Sequence, residues 1–182
     1  MKRLGKSAVM LVTLLVSFGL LVQMGLAASL LEGDWEWKNT DTWSDATDVV
    51  TSLEDGALSL VISFDSSKGY GKVAAQRLLD GQDWSEVKGV KMDIYNTTEG
   101  AIRLSVVLGT AVDGWQEVPG RMIRPGLAEG MRFTFLDVKS ELTDWNLGSP
   151  SGLDDMDSFY IYFMPVEEGL KGEVYIDNIE LF

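Results

Sequence analysis

The chain has 182 residues, with 15 Lys and Arg against 28 Asp and Glu, a net charge of −13, and neither cysteine nor histidine. A surface this acidic argues against nucleic acid or an anionic membrane as a partner, because phosphate recognition requires a basic face. Without Cys or His there are no disulfides, no Ser-His-Asp chemistry and almost no route to a zinc site.

Lys2, Arg3 and Lys6 open the chain, Ala8 to Met24 is mostly apolar, and Gly25-Leu26-Ala27 supplies small residues where a signal peptidase cuts. A single membrane anchor is the alternative, since the apolar run is nearly long enough to span a bilayer. Residues 1–28 are therefore expected to be a signal peptide, with residues 29–182 secreted or periplasmic as one domain. Taking those three cations from the 15 leaves 12 against 28 acidic residues, a net charge of −16.

Leu30-Leu31-Glu32-Gly33-Asp34 runs from apolar into acidic residues, and Trp35, Trp37 and Trp43 follow in a loop-like stretch. Val49-Val50 suggests a short strand. After a turn at Glu54-Asp55-Gly56, Leu58, Leu60, Ile62 and Phe64 fall on one face of a strand, and Tyr70 to Leu79 reads as another. Trp84, just ahead of the strongest strand, reads as a buried anchor. Val90, Met92 and Ile94 alternate with Lys91, Asp93 and Tyr95; Ile102, Leu104, Val106 and Leu108 alternate with Arg103, Ser105 and Val107.

Gly109 to Gly126 carries Trp115, two prolines and several glycines, and is expected to be mainly loop. Met131, Phe133 and Phe135 alternate with Arg132 and Thr134. Asp144 to Asp157 reads as a second long loop containing Trp145. Its acidic run Asp154-Asp155-Met156-Asp157 lacks the spacing and central glycine of an EF-hand and reads as solvated. Phe159, Ile161 and Phe163 alternate with Tyr160 and Tyr162.

In the last stretch Val174 and Ile176 alternate with Tyr175 and Asp177, and then the apolar positions move to Ile179 and Leu181. This change of phase at Asp177-Asn178 predicts a bulge that re-aims a carboxylate. So apolar a strand must pair inside a sheet, with a neighbour expected near the mature N-terminus. Short alternating strands at even spacing, with no helical period beyond a turn or two, predict an all-β, mainly antiparallel, single-domain β-sandwich or jelly roll.

A Leu-Glu-Gly start, a tryptophan-bearing loop, GALSLVISF, DWSEVKGVKMDIYN and the closing VYIDNIEL together resemble carbohydrate-binding modules of the galactose-binding-like β-sandwich type. Those modules are accessory to bacterial polysaccharide-degrading enzymes. The resemblance implies non-catalytic binding of a polysaccharide or oligosaccharide, with a separate polysaccharide-degrading enzyme as partner. It also implies a structural calcium held by Asp177 and Glu32, with Glu54 or Asp55 as a weaker third ligand. Calcium takes roughly six to eight oxygens in irregular geometry, so these residues suit it. Alternatively, Asp177 only accepts backbone N–H bonds at a bulge and Glu32 is solvated.

The residues alternating away from the core are Asp93, Tyr95, Arg103, Ser105, Thr134, Tyr160 and Tyr162. A sugar stacks its C–H face on Tyr or Trp and offers hydroxyls to acceptors such as Asp and donors such as Arg. Asp93, Tyr95, Arg103, Trp115, Tyr160 and Tyr162 are therefore the expected carbohydrate-binding residues, with Trp43 and Trp145 at the rim. Trp35 and Trp37 share one strand face and read equally as core or site. Arg103 opposite Asp93 also reads as a cross-strand ion pair. Two other functions fit the same fold. A small jelly-roll glycoside hydrolase needs two carboxylates roughly 5–9.5 Å apart, and the pattern places only Asp93 outward, with Asp113 and Glu117 in a loop. A cell-envelope protein-interaction module would use the same aromatic face for protein contact.

Overall fold

The computed structural model describes residues 30, 35–37, 46–54, 57–65, 73–167 and 169–182. The expected signal peptide, Glu32, Trp43 and Asp55 lie outside the described residues.

Two antiparallel sheets form a β-sandwich. The larger runs β1 (Trp35–Trp37), β4 (Val73–Gln82), β12 (Met156–Pro165), β6 (Ile102–Thr110), β7 (Gly114–Glu117), β10 (Val138–Lys139) and β11 (Leu147–Gly148), with β8 (Arg121–Ile123) also pairing β6. The smaller runs β2 (Ala46–Glu54), β3 (Ala57–Asp65), β13 (Lys171–Leu181), β5 (Gly89–Asn96) and β9 (Gly126–Thr134). The predicted period-two faces meet between them. Leu60, Ile62, Ile94, Val174 and Ile176 from one sheet pack in one cluster with Leu104, Val106, Phe159, Ile161 and Phe163 from the other. Each such side chain contributes roughly 1.5–3 kcal/mol by leaving water.

Trp84 is the anchor the sequence suggests. It is fully buried, stacked 6.2 Å from Phe135 and tilted against Phe159 at 5.6 Å. Its indole N–H donates to Gln82 Oε1 at 3.2 Å, so the one polar atom of the ring is satisfied inside the core.

The final strand lies between β3 and β5, both distant in sequence, whereas β1 pairs with β4 in the other sheet. Its inner position matches expectation, but its neighbours are not the first strand. The predicted bulge is there: the β13–β5 register slips between Asp177 and Glu180, and Asn178 takes a left-handed φ of 50°.

The stretch from Gly109 to Gly126 is not mainly loop. It forms β7 and β8, both laid against β6. The buried Gln116 of β7 donates from Nε2 to Thr110 Oγ1 and to the Ser151 carbonyl, and its Oε1 accepts from the Ser151 N–H. One side-chain amide thereby fastens the following long connection to the sheet.

Candidate functional site

The outer face of the larger sheet is built by strand register. With Phe159, Ile161 and Phe163 turned into the core, Tyr160 and Tyr162 must emerge on the opposite side. Pairing aligns Gln76, Tyr160, Val107, Glu117, Lys139 and Leu147 in one row across six strands. A flanking row holds Leu78, Ser158, Gly109 and Trp115, and another holds Ala74, Tyr162 and Ser105.

The aromatic residues of this face form a second cluster, separate from the main core. Ala74, Val107, Tyr160 and Tyr162 pack together, with Trp115 and Met164 over them. Trp115 lies 5.0 Å from Tyr160, tilted, and 6.1 Å from Tyr162, edge-on. Tyr160 and Tyr162 are only 8% and 3% exposed. Both point to the expected face, but they are covered rather than presented to solvent. Trp115, partly exposed, is the ring a ligand would meet first.

Beside that ring is an open groove of about 310 Å³, lined by Gly109, Thr110, Gly114, Trp115, Asp157, Ser158 and Tyr160. Gly109 lets the strands crowd here, since a Cβ at that position would stand 2.2 Å from Ser158 Oγ. Ser158 Oγ donates to the Tyr160 hydroxyl at 3.1 Å, which orients the phenol at the groove wall. Burial, with the charge of Glu117 nearby, pushes the Tyr162 phenol well above its ordinary pKa, against the opposing effect of Arg103. Tyr162 is therefore a neutral hydroxyl throughout the physiological range, and Arg103 stands exposed close by. A partly exposed aromatic ring beside a carboxylate, hydroxyls and a guanidinium can bind a polyhydroxylated ring.

Arg103, Trp115, Tyr160 and Tyr162 are thus brought to one face. Asp93 and Tyr95 are not, because β5 belongs to the smaller sheet. Asp93 does not oppose Arg103 and forms no cross-strand pair with it, since β5 and β6 lie in different sheets. Its carboxylate accepts from Asn178 Nδ2 at 2.7 Å and from the Gly130 N–H at 2.6 Å. The Asn178 bond, then the Gly130 bond, hold its pKa below the usual carboxylate value despite some desolvation. Tyr95 is 48% exposed and sits 6.2 Å from Tyr175.

Asp177 lies directly across from Asp93, and its Oδ1 is buried with no hydrogen-bond partner among the described residues. That oxygen does not make the backbone bond offered as the alternative to calcium. Among the described residues, no three Asp or Glu side chains gather into a metal-binding group.

Trp145 is 51% exposed just beyond the short 3₁₀ turn Glu141–Thr143 and follows Asp144 in left-handed conformation, both held by N–H bonds back to Ser140 and Glu141 respectively. Trp35 and Trp37 are registered opposite Arg77 and Ala75. Thr110, Asp157 and Ser158 join the groove without a sequence signal of their own. Asp157 belonged to the run read as a solvated loop, yet it lies one residue inside β12.

No protein-family model matches the chain, and no curated protein sequence does. Several solved structures share its fold. A carbohydrate-binding module described as specific for non-crystalline cellulose, CBM28, superposes with a TM-score of 0.60 at 16% identity, over 81% of this chain and 86% of that one. The family 11 carbohydrate-binding module of a cellulosomal cellulase of Clostridium thermocellum gives 0.53 at 20% identity, over 83% and 89%. An exo-beta-agarase gives 0.53 at 16% identity, where the likeness covers 82% of this chain but only 24% of the agarase. The β-sandwich fold of this protein is the one seen in carbohydrate-binding modules.

Proposed function

We propose that the protein binds a polysaccharide or oligosaccharide without cleaving it, on the groove and aromatic cluster of the larger sheet's outer face. The observation that carries the reading is Trp115, packed 5.0 Å from Tyr160 at the edge of a groove that also offers Asp157, Thr110 and Ser158. Trp115 supplies the stacking surface. Tyr160 and Tyr162 stiffen it from beneath, and Arg103, Glu117 and Asp157 are the polar groups available to hydroxyls. The similar modules of comparable length are carbohydrate-binding ones, and one is described as specific for non-crystalline cellulose, which supports a single glucan chain as the first ligand to try.

Export belongs to the same reading, with residues 1–28 as a signal peptide and a separate polysaccharide-degrading enzyme as partner. So does a structural calcium at Asp177 and Glu32. The buried, unpartnered Oδ1 of Asp177 and the negative charge of Asp93 across from it fit a hard cation. Bound there, calcium would satisfy that oxygen and clip the last strand to the segment before β1.

The test is affinity gel electrophoresis of the protein through soluble β-glucans, mannans, xylans and galactans, with reducing-sugar release assayed on the same samples. Retardation by one polymer without sugar release, lost in a folded Trp115→Ala variant, is the expected result. Sugar release would overturn the non-catalytic reading. Retardation that survives Trp115→Ala would move the site elsewhere.

A further inference from the structure

The smaller sheet presents an outer face that the proposed site does not use. Register aligns Val61, Tyr175, Tyr95 and Leu127 in one row across β3, β13, β5 and β9. Tyr95 and Leu127 are 48% and 61% exposed, and the Tyr95 and Tyr175 rings are tilted by 39° at 6.2 Å. Val61 is only 6% exposed, so the accessible part of the row runs from Tyr175 to Leu127, roughly 10 Å at a strand spacing of ~4.8 Å and about the length of two linked pyranose rings.

The charges around this row are unbalanced. On one side Glu173 accepts bonds from the hydroxyls of Tyr175 and Ser63. On the other, Asp93 is braced by Asn178 and Gly130, and Glu129 is exposed on β9. Among the described residues Glu173 and Glu129 are in no ion pair, whereas Asp93 already feels the charge of Lys91 on its own strand. Three cations around this face are already engaged. Lys91 pairs with Glu180 at 2.7 Å, Lys171 pairs with Asp65 at 2.8 Å, and Arg132 lies 4.0 Å over the ring of Phe182. Tyrosine rings flanked by Glu173 and Glu129, carboxylates outside any ion pair among the described residues, complement a cation, which gains from the π face and from charge-assisted hydrogen bonds together. A second copy of this chain would instead set these carboxylates against one another, in a protein of net charge −13.

We infer that this face is a second glycan site, opposite the first, and that it takes amino sugars carrying free ammonium groups. The inference rests on the reading of the protein as a glycan binder. The sugar's C–H face stacks on Tyr95 and its ammonium meets Glu173, whose position is fixed by the Tyr175 hydroxyl.

Three β-1,4-linked hexamers that differ in one substituent test it: glucosamine, N-acetylglucosamine and glucose. Each is titrated calorimetrically into the full chain and into Tyr95→Ala and Glu173→Gln. Tyr95 is exposed, and Gln keeps a hydrogen-bond acceptor at 173, so both variants should fold. The glucosamine hexamer should bind best of the three. Either substitution should weaken it about three- to fivefold, or roughly 0.6–1 kcal/mol, the worth of one exposed stacking contact or one exposed ion pair. Retardation by the polymer that the Trp115 face selects should not change in either variant. Absent binding of the glucosamine hexamer, or equal binding by all three proteins, would overturn the inference and leave the first site standing. If no glycan binds anywhere, both readings fall. Binding of a leucine–lysine peptide through Tyr95, without binding of the glucosamine hexamer, would overturn the sugar assignment in favour of a protein partner.

Discussion

Asp93 on β5 accepts a 2.7 Å hydrogen bond from Nδ2 of Asn178, the left-handed residue at the bulge of β13. Its other oxygen accepts from the N–H of Gly130, the left-handed glycine where β9 slips register against β5. One carboxylate therefore ties together two irregularities on either side of its own strand. Its folded pKa lies below the ordinary 3.8, so its stabilisation is fully present above that value and is lost as pH falls through the folded one. Asp93→Asn should cost about 1 kcal/mol near neutral pH, at the low end for charged hydrogen bonds because the group is partly exposed. The gap to the parent should narrow below about pH 4. Melting temperatures from pH 2.5 to 7 would check it, and a gap independent of pH would show that the charge plays no part.

Tyr162 is closed over, and its truncation should behave as a core mutation. Tyr162→Ala should destabilise by about 3 kcal/mol through the cavity it leaves, whereas Tyr162→Phe should cost about 1 kcal/mol. Urea unfolding of the two variants would measure this. A Tyr162→Ala protein as stable as the parent would mean the ring is exposed after all.

That burial shows where the sequence stopped being readable. Period-two alternation assigns a residue to a face of its strand, and here it separated Phe159, Ile161 and Phe163 from Tyr160 and Tyr162 correctly. It does not say what lies over that face. The cover, Trp115, comes from β7, a four-residue strand too short to show alternation within a Gly- and Pro-rich stretch. Nor does alternation say which sheet a strand joins. Asp93 and Tyr95 on β5 carry the same outward signal as Arg103 on β6, yet the two strands pair with different neighbours, and the expected site divides between opposite faces. The bulge at Asp177-Asn178 was legible because a change of phase is written locally in the chain.

Gly109 should tolerate no side chain. A Cβ there would meet Ser158 Oγ at 2.2 Å and Tyr160 Cε2 at 3.3 Å, both walls of the groove. Gly109→Ala should cost about 1–3 kcal/mol as overpacking and should weaken glycan retardation by displacing Ser158 or Tyr160. Adding Ser158→Ala removes the nearest clash and should restore much of the stability, a coupling that a double-mutant cycle measures. Strict additivity of the two changes would place the strain elsewhere.

Calcium at Asp177 leads to the last expectation. A buried carboxylate oxygen without a donor is costly, and the charge of Asp93 on the neighbouring strand adds to the cost. A cation would offset both at once. At a free calcium concentration about a hundredfold above its dissociation constant, binding adds roughly 2.7 kcal/mol, so chelator should lower the melting temperature by roughly 5–10 °C in a chain of this length. Asp177→Asn should melt near the chelated parent and should no longer respond to chelator. Glycan retardation by the parent at a temperature where it stays folded should be the same with and without chelator, because Asp177 and the Trp115 groove lie on different sheets. An unchanged melting temperature in a sample verified as metal-free would remove calcium from the fold, and the unpartnered Oδ1 of Asp177 would then need another donor.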